Sequence, residues 1–165
     1  MTKFSRRDFL KTSTVAGAGF LVASGNQKKI ARASALQSVA GAGGGVGGKG
    51  AGDIQQAGIF GKVVALCDVD KGTLASMGEN FPDAKRYVDF RDMFAEMGDK
   101  FDALTCSTTD HMHTVITAMG LKAKKHCYTQ KPLTRTIGEA RYLSNLAKAA
   151  GVCTQMGNQG STDDT

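Results

Sequence analysis

Set aside the first 33 residues and the chain has no net charge. Seven of its 21 Lys/Arg (Lys3, Arg6, Arg7, Lys11, Lys28, Lys29 and Arg32) and one of its 15 Asp/Glu, Asp8, lie in that segment. The formal charge of +6 therefore sits there, and fourteen residues of each sign remain. A neutral body lacks the electrostatic footprint that binding to a phosphate backbone needs, so nucleic acid is not an expected partner. A strongly apolar run is also missing. The uncharged stretch Thr12 to Ala23 is rich in Gly, Ala and Thr and falls short of the ~20 apolar residues of a stable membrane span. Cys67, Cys106, Cys127 and Cys153 form no C-x-x-C pair and no repeated ligand spacing, which argues against a metal centre or a disulfide framework. Each lies in or beside a short apolar run (VVALC, ALTC, HCY, GVC), so all four are expected as buried thiols.

What is present begins with the leader. Ser5-Arg6-Arg7-Asp8-Phe9-Leu10-Lys11 followed by the small-residue run has the order of a charged region and an apolar region, and it resembles the twin-arginine export signal of bacteria. Residues 1–33 are read as that signal, with cleavage at the A-x-A of Ala31 and Ala33 or, alternatively, near Ala23. This implies the twin-arginine translocation machinery as a partner and a periplasmic or otherwise extracytoplasmic destination. Folding before export would keep the thiols reduced. The remaining chain, 41% hydrophobic and 22% charged over the full length, has the composition of one globular domain.

Beyond the leader, short apolar runs alternate with segments of helical period. Strands are expected at Leu36 to Ala40, Lys62 to Cys67, Lys85 to Val88, Ala103 to Cys106, His126 to Tyr128 and Val152 to Gln155. Helices are expected near Lys49 to Gln56, Lys71 to Asn80, Phe90 to Met97, His111 to Leu121 and Ile137 to Ala150. The last is the clearest, because Ile137, Ala140, Leu143, Leu146, Ala147 and Ala150 recur at three- and four-residue steps and Gly151 follows as a C-terminal glycine. Strands separated by helices predict an α/β fold: a doubly wound, mostly parallel, Rossmann-like sheet with helices on both faces, over residues 34–160. The first strand is expected to be short or irregular, since ALQSVAGAGGG holds little that is large or β-branched.

Three stretches carry chemistry. The glycine cluster Gly41 to Gly52 contains G-x-G-x-x-G at Gly45, Gly47 and Gly50, with Gly43, Gly45 and Gly48 as a second register. Glycine there permits a tight turn, admits pyrophosphate to the backbone and lets helix and strand pack closely. A glycine-rich linker after a signal peptide would look similar. Asp68 closes the apolar run Val63 to Leu66 and stands 23 residues beyond Gly45, where a carboxylate accepts hydrogen bonds from ribose hydroxyls and repels a 2′-phosphate, so NAD is favoured over NADP. A helix cap is the other reading of Asp68, although Asp70 suits that role better. STTDHMH, Ser107 to His113, follows the fourth strand at the carboxyl end of the sheet. Asp110 is a candidate cap there, and His111 and His113, two apart, cannot share a helix face as metal ligands; no metal site is expected, and a lone histidine in this loop reads as a capping or packing residue ahead of a cofactor contact.

GVGGKGAGD (Gly45 to Asp53), VVALCDVD (Val63 to Asp70), YVDFRDM (Tyr87 to Met93), STTDHMH, TQKPLTRTIGEAR (Thr129 to Arg141) and TQMGNQG (Thr154 to Gly160), in that order, resemble the Gfo/Idh/MocA oxidoreductase family. The resemblance implies that Gly45, Gly47 and Gly50 hold the pyrophosphate of NAD, that Asp68 binds the adenosine ribose, and that Ser107, Thr108 and His113 line the cofactor groove. Lys131 matches the lysine of the family's E/D-K-P motif, which hydrogen-bonds or moves a proton at the substrate carbon that exchanges hydride. A lysine partly desolvated beside a nicotinamidium would have its pKa lowered for that task, and Pro132 would fix the turn that aims it. Gln130 stands in place of the motif's acidic residue; its amide can still bind ribose hydroxyls. Thr109 stands where many members have proline, and extra glycines precede Gly45.

The function expected is thus that of an NAD-binding domain from an exported oxidoreductase acting on a sugar or polyol by hydride transfer. Family members continue into a second α/β domain that walls the substrate, whereas residues 161–165 are a polar tail. The chain is therefore expected to bind cofactor more readily than to turn over substrate. The alternatives are a truncated, non-catalytic chain, or a member carrying out NAD-dependent redox-neutral glycoside hydrolysis.

Overall fold

The computed structural model describes residues 39–159; the expected leader, its cleavage sites and the polar tail lie outside them. The described residues belong to the second of two compact units, Ser38–Thr165. Six strands, β1 (Ala40–Gly44), β2 (Lys62–Cys67), β3 (Lys85–Tyr87), β4 (Ala103–Cys106), β5 (His126–Thr129) and β6 (Thr154–Met156), alternate with five helices. The helices are α1 (Lys49–Phe60), α2 (Lys71–Asn80), α3 (Phe90–Met97), α4 (Asp110–Lys122) and α5 (Ile137–Ala150). The sheet order is β3-β2-β1-β4-β5-β6, and every pair is parallel. That is a doubly wound sheet whose order reverses between β1 and β4, the place where ligands of such folds bind.

The first strand departs from expectation. Among the described residues it runs through Ala40–Gly44, past the expected end at Ala40 and into the glycine cluster, and Val39 is not part of it; residues 36–38 of the expected stretch lie outside the described residues. Small residues win because α1 lies directly on them: a Cβ at Gly43 would stand 3.0 Å from Ile54 Cδ1. Central placement between β2 and β4 supplies ladder hydrogen bonds on both sides and offsets the poor strand propensity of glycine. A register shift between Gly41 and Ala42 makes the strand irregular. The closest approach is at Gly50, where an added Cβ would meet the Gly45 carbonyl oxygen at 2.0 Å.

Two apolar layers cover the sheet. One gathers Met93, Met97, Phe101, Ile116, Leu121 and Leu143 against Ala42, Ala65, Leu104 and Cys106; the other packs Ile54, Leu74 and Met77 with Val63 and Leu66. Cys67, Cys106 and Cys127 are buried as expected, but Cys153 is exposed, because it precedes the short edge strand β6. Burial, helped by neighbouring carboxylates, pushes the Cys67 thiol up to about 12, and burial likewise carries Cys127 to about 12. Neither is a nucleophile at neutral pH.

Local signals set the helix ends. Asp70 caps α2 by accepting from Thr73 N at 2.6 Å, and Asp89 caps α3 through Arg91 N. Thr136 and Glu139 form a reciprocal capping box on α5, which Gly151 ends with φ 66°. Asp110 is not a cap. The N-cap of α4 is Thr109, and Asp110 occupies the first turn.

Two tests follow from these contacts. Gly50→Ala should lower stability in urea denaturation by at least ~3 kcal/mol, since the clash is with backbone. Gly52→Ala, two residues on in the same helix with nothing within 4 Å of the new methyl, should raise it by about 0.5–1 kcal/mol. Arg91 side-chain and backbone hydrogen bonds hold Asp89 at about 2, below its ordinary value. A folded-state value below the unfolded one means stability present above about pH 4 and lost as pH falls towards 2. Between those limits the melting temperature of Asp89→Asn should fall less steeply than that of wild type.

Candidate functional site

The residue immediately after each of five strands sits on one edge of the sheet, and each is fixed by its backbone. Gly45 N donates to Cys67 O, Asp68 N to Tyr87 O, Ser107 N to Gly44 O, Gln130 N to Cys106 O and Gly157 N to Thr129 O, all at 2.8–3.1 Å. The ladder thus continues one residue past the strands and aligns these positions at the carboxyl edge.

A groove of about 580 Å³ opens between the ends of β2, β1 and β4, lined by Gly45, Gly47, Asp68, Thr73, Ser107 and Thr108 among others. Its size is that of a small-molecule site. Gly45 has φ 75°, and a Cβ there would meet Ser107 and Thr108 backbone at 2.8 Å, so the first turn must be glycine. With Gly50 at the helix–strand contact, this geometry selects the register Gly45, Gly47, Gly50 over Gly43, Gly45, Gly48. Helix α1 starts at Gly48 with no side-chain cap and no acidic residue in its first turn, in contrast to the capped starts of α2, α3 and α5. An N-terminus left in this state favours an anion.

Asp68 stands at the mouth of the groove. Its Oδ2 accepts from Val46 N at 2.9 Å and its Oδ1 from Asp70 N at 3.0 Å. Those bonds orient the carboxylate across the glycine turn, and each oxygen retains a lone pair. Asp70, not Asp68, is the helix cap.

His113 is placed otherwise than the resemblance implies and as a packing histidine would be. At 1% exposure it does not line the groove, which takes the exposed His111 instead. The His113 ring is held between two carbonyls, Nδ1 2.6 Å from Pro132 O and Nε2 3.0 Å from Thr108 O. Both partners are acceptors, so at least one ring nitrogen donates. The imidazole ties the loop after β4 to the turn after β5, where the Lys131–Pro132 peptide is cis. Lys131 itself is exposed; the desolvation expected for it is not supplied by the described residues.

The structure also brings in residues that carried no role in the sequence. Asp53, on the buried stripe of α1 with Gly50 and Ile54, accepts from Ser107 Oγ at 2.7 Å and from Gln130 Nε2 at 2.8 Å. Lys49 Nζ lies 3.2 Å from its other oxygen. Gln130 also donates to the Tyr128 hydroxyl at 3.2 Å, which receives Gln159 Nε2 at 2.6 Å. Burial first, and Asp53 second, push the Tyr128 phenol up, keeping it protonated. The available signal was a lone acid at a buried helical position, three residues past the third glycine. Among the described residues no group of three or more His, Cys, Asp or Glu is placed to hold a metal ion, and no helix is long and apolar enough to cross a membrane.

Comparison with known proteins bears on this edge. Residues 37–158 match the model of the Gfo/Idh/MocA group, described as an oxidoreductase family with an NAD-binding Rossmann fold, and residues 3–23 match the twin-arginine translocation signal sequence. A D-apiose dehydrogenase of Rhizobium rhizogenes is 29% identical over 100 residues, 61% of this chain and 27% of that protein. A second D-apiose dehydrogenase, from Paraburkholderia graminis, is 29% identical over 91 residues, 55% of this chain and 24% of the relative. The fold superposes on an oxidoreductase from Agrobacterium radiobacter crystallised with NAD+, L-tartaric acid and magnesium, with TM-score 0.66, 23% identity and coverage of 73% of this chain and 35% of that one. The scyllo-inositol dehydrogenase of Lactobacillus casei gives TM-score 0.66 at 20% identity, covering 78% and 39%. The chain thus spans about a quarter of the length of the curated relatives it matches. With a twin-arginine signal at one end and this sheet edge in the remainder, the chain belongs to the Gfo/Idh/MocA oxidoreductase family and carries its NAD-binding Rossmann domain.

Proposed function

We propose that this domain is the cofactor-binding part of an exported oxidoreductase that moves a hydride between NAD and a carbon of a sugar or polyol. The observation that carries the reading is the groove running from Asp68 across the Gly45 turn to Ser107 and Thr108, with the uncapped start of α1 beside it. These residues fit NAD. Amide groups at the start of α1 would meet the pyrophosphate, with Gly45 and Gly47 giving it access and Gly50 seating the helix. Asp68 would accept from the adenosine ribose, and its charge disfavours a 2′-phosphate, so NAD is preferred to NADP. Ser107 and Thr108 would bound the groove on the β4 side. Gln130 would face the nicotinamide end.

Bound NAD supplies the hydride acceptor or donor. Lys131, exposed at the same edge and one residue beyond Gln130, would take or return the hydroxyl proton of the substrate carbon. His113 would act at one remove, holding the turn that carries Lys131 to the loop that bounds the groove. The sugar or polyol class is supported by relatives named D-apiose dehydrogenase. A periplasmic or otherwise extracytoplasmic site of action, with the twin-arginine machinery as the transport partner, follows from the signal at residues 3–23.

An NADH titration of wild type against Asp68→Ala tests the assignment. Wild type should bind NADH more tightly than NADPH. Asp68→Ala should weaken NADH by about tenfold or more, the worth of hydrogen bonds to a charged acceptor, and should narrow the NADH/NADPH gap by removing the repulsion. Equal NADH affinity in both chains would sink the ribose role, and no binding by wild type would sink the whole reading.

A further inference from the structure

The family's E/D-K-P motif carries an acid where this chain has Gln130, yet the site has not lost its carboxylate. The geometry points to Asp53 as the positioning carboxylate of the nicotinamide end, delivered from α1 in place of the acid on the β5 loop. This inference rests on the NAD-binding reading above. The Asp53 side chain is 6% exposed, and a buried carboxylate is tolerated only when partnered. Its partners are Ser107 Oγ, Gln130 Nε2 and Lys49 Nζ. Lys49 is 56% exposed, so water screens that pair and the two uncharged donors hold the carboxylate in place.

Gln130 is the residue type this arrangement requires. Its amide nitrogen donates to Asp53 and to the Tyr128 hydroxyl, at 2.8 and 3.2 Å, while its oxygen accepts from Lys131 N, 3.3 Å away. Only an amide does both in a single orientation, and a glutamate here would set a second carboxylate about 3 Å from the first. The slot is closed from the far side by Gly157, where a Cβ would fall 2.8 Å from both Gln130 amide atoms. Gln130 is thereby held between α1 and the loop after β6, at 5% exposure. Because its oxygen accepts from Lys131 N, Asp53 sets the start of the turn that presents Lys131. Asp53 does not line the groove; it acts through Gln130 and is a positioning residue.

The test is a cycle of Gln130→Glu, Asp53→Asn and the double variant in the full chain, read by melting without cofactor and by NADH affinity between pH 5.5 and 8.5. Gln130→Glu should melt lower and bind NADH about tenfold more weakly at pH 8, the order of coupled neighbouring sites. Its affinity should recover as pH falls, because the two carboxyls then share a proton. The double variant, with one acid and one amide exchanged, should return melting temperature and affinity to near wild type and lose that pH dependence. Additive losses in the double variant, or a Gln130→Glu chain that matches wild type at every pH, would overturn the proposal. A Gln130→Glu chain that does not fold is read by whether Asp53→Asn restores it: restoration upholds the pairing and failure overturns it. If wild type itself gave no NADH signal, the functional reading would fall, while the melting cycle would still decide the Asp53–Gln130 pairing.

Discussion

The contact between Gly50 and the Gly45 carbonyl is the constraint on which the rest of the edge depends. With no room for even a methyl group, α1 is drawn against the end of β1 closely enough to bring Asp53, three residues past Gly50 on its buried stripe, within hydrogen-bonding reach of the loops after β4 and β5. A helix standing off by the width of a side chain would leave that carboxylate short of Ser107 and Gln130. The glycine run therefore does more than open a path for a phosphate. It sets the depth at which a charged helical residue enters the polar layer, and it obliges β1 to be built from Ala and Gly despite their poor strand propensity.

The polar layer is organised by the parallel ladder. One-residue extensions of the backbone pairing place Gly45, Asp68, Ser107, Gln130 and Gly157 in a row, so side chains from distant parts of the sequence arrive in register without loops having to search for one another. Chemistry is then divided. Ser107, Gln130 and His113 spend their hydrogen bonds on the protein itself, which keeps the loops rigid. Asp68 keeps acceptor capacity towards the groove, and Lys131 stays exposed. Preorganised neighbours around an exposed cation suit a site in which position, not acidity alone, decides the outcome.

Much of this was legible from residue order. The alternation of apolar runs with helical segments matches five of the six strands and all five helices within a few residues, and some carried their own punctuation: Asp70 at a helix start, Gly151 at a helix end. The first strand runs on from Ala40 to Gly44, since propensity favours larger residues whereas tertiary packing there selects the smallest. Asp110 was misread as a cap because residue type alone does not separate the N-cap from the first turn. Cys153 was misplaced because an apolar run at a sheet edge looks the same as one at its centre. His113 and Asp53 were illegible for a common reason. Their hydrogen-bond partners are 54 to 77 residues away or are backbone carbonyls, so sequence offers at most the lone acid on the buried stripe of α1 and does not name its partners.

That same distance explains why Gln130 reads as a loss in sequence and as an exchange in three dimensions. Taken in the motif alone, an amide for an acid removes a charge. Placed beside Asp53, the amide becomes the donor that a buried carboxylate needs, and restoring the acid would create a like-charge pair in a nearly dry slot. The two positions form one hydrogen-bonded unit, with the acid on α1 and the amide on the β5 loop. That placement fixes the direction in which the neighbouring amide points, and through Lys131 N that direction reaches the lysine at the edge of the groove.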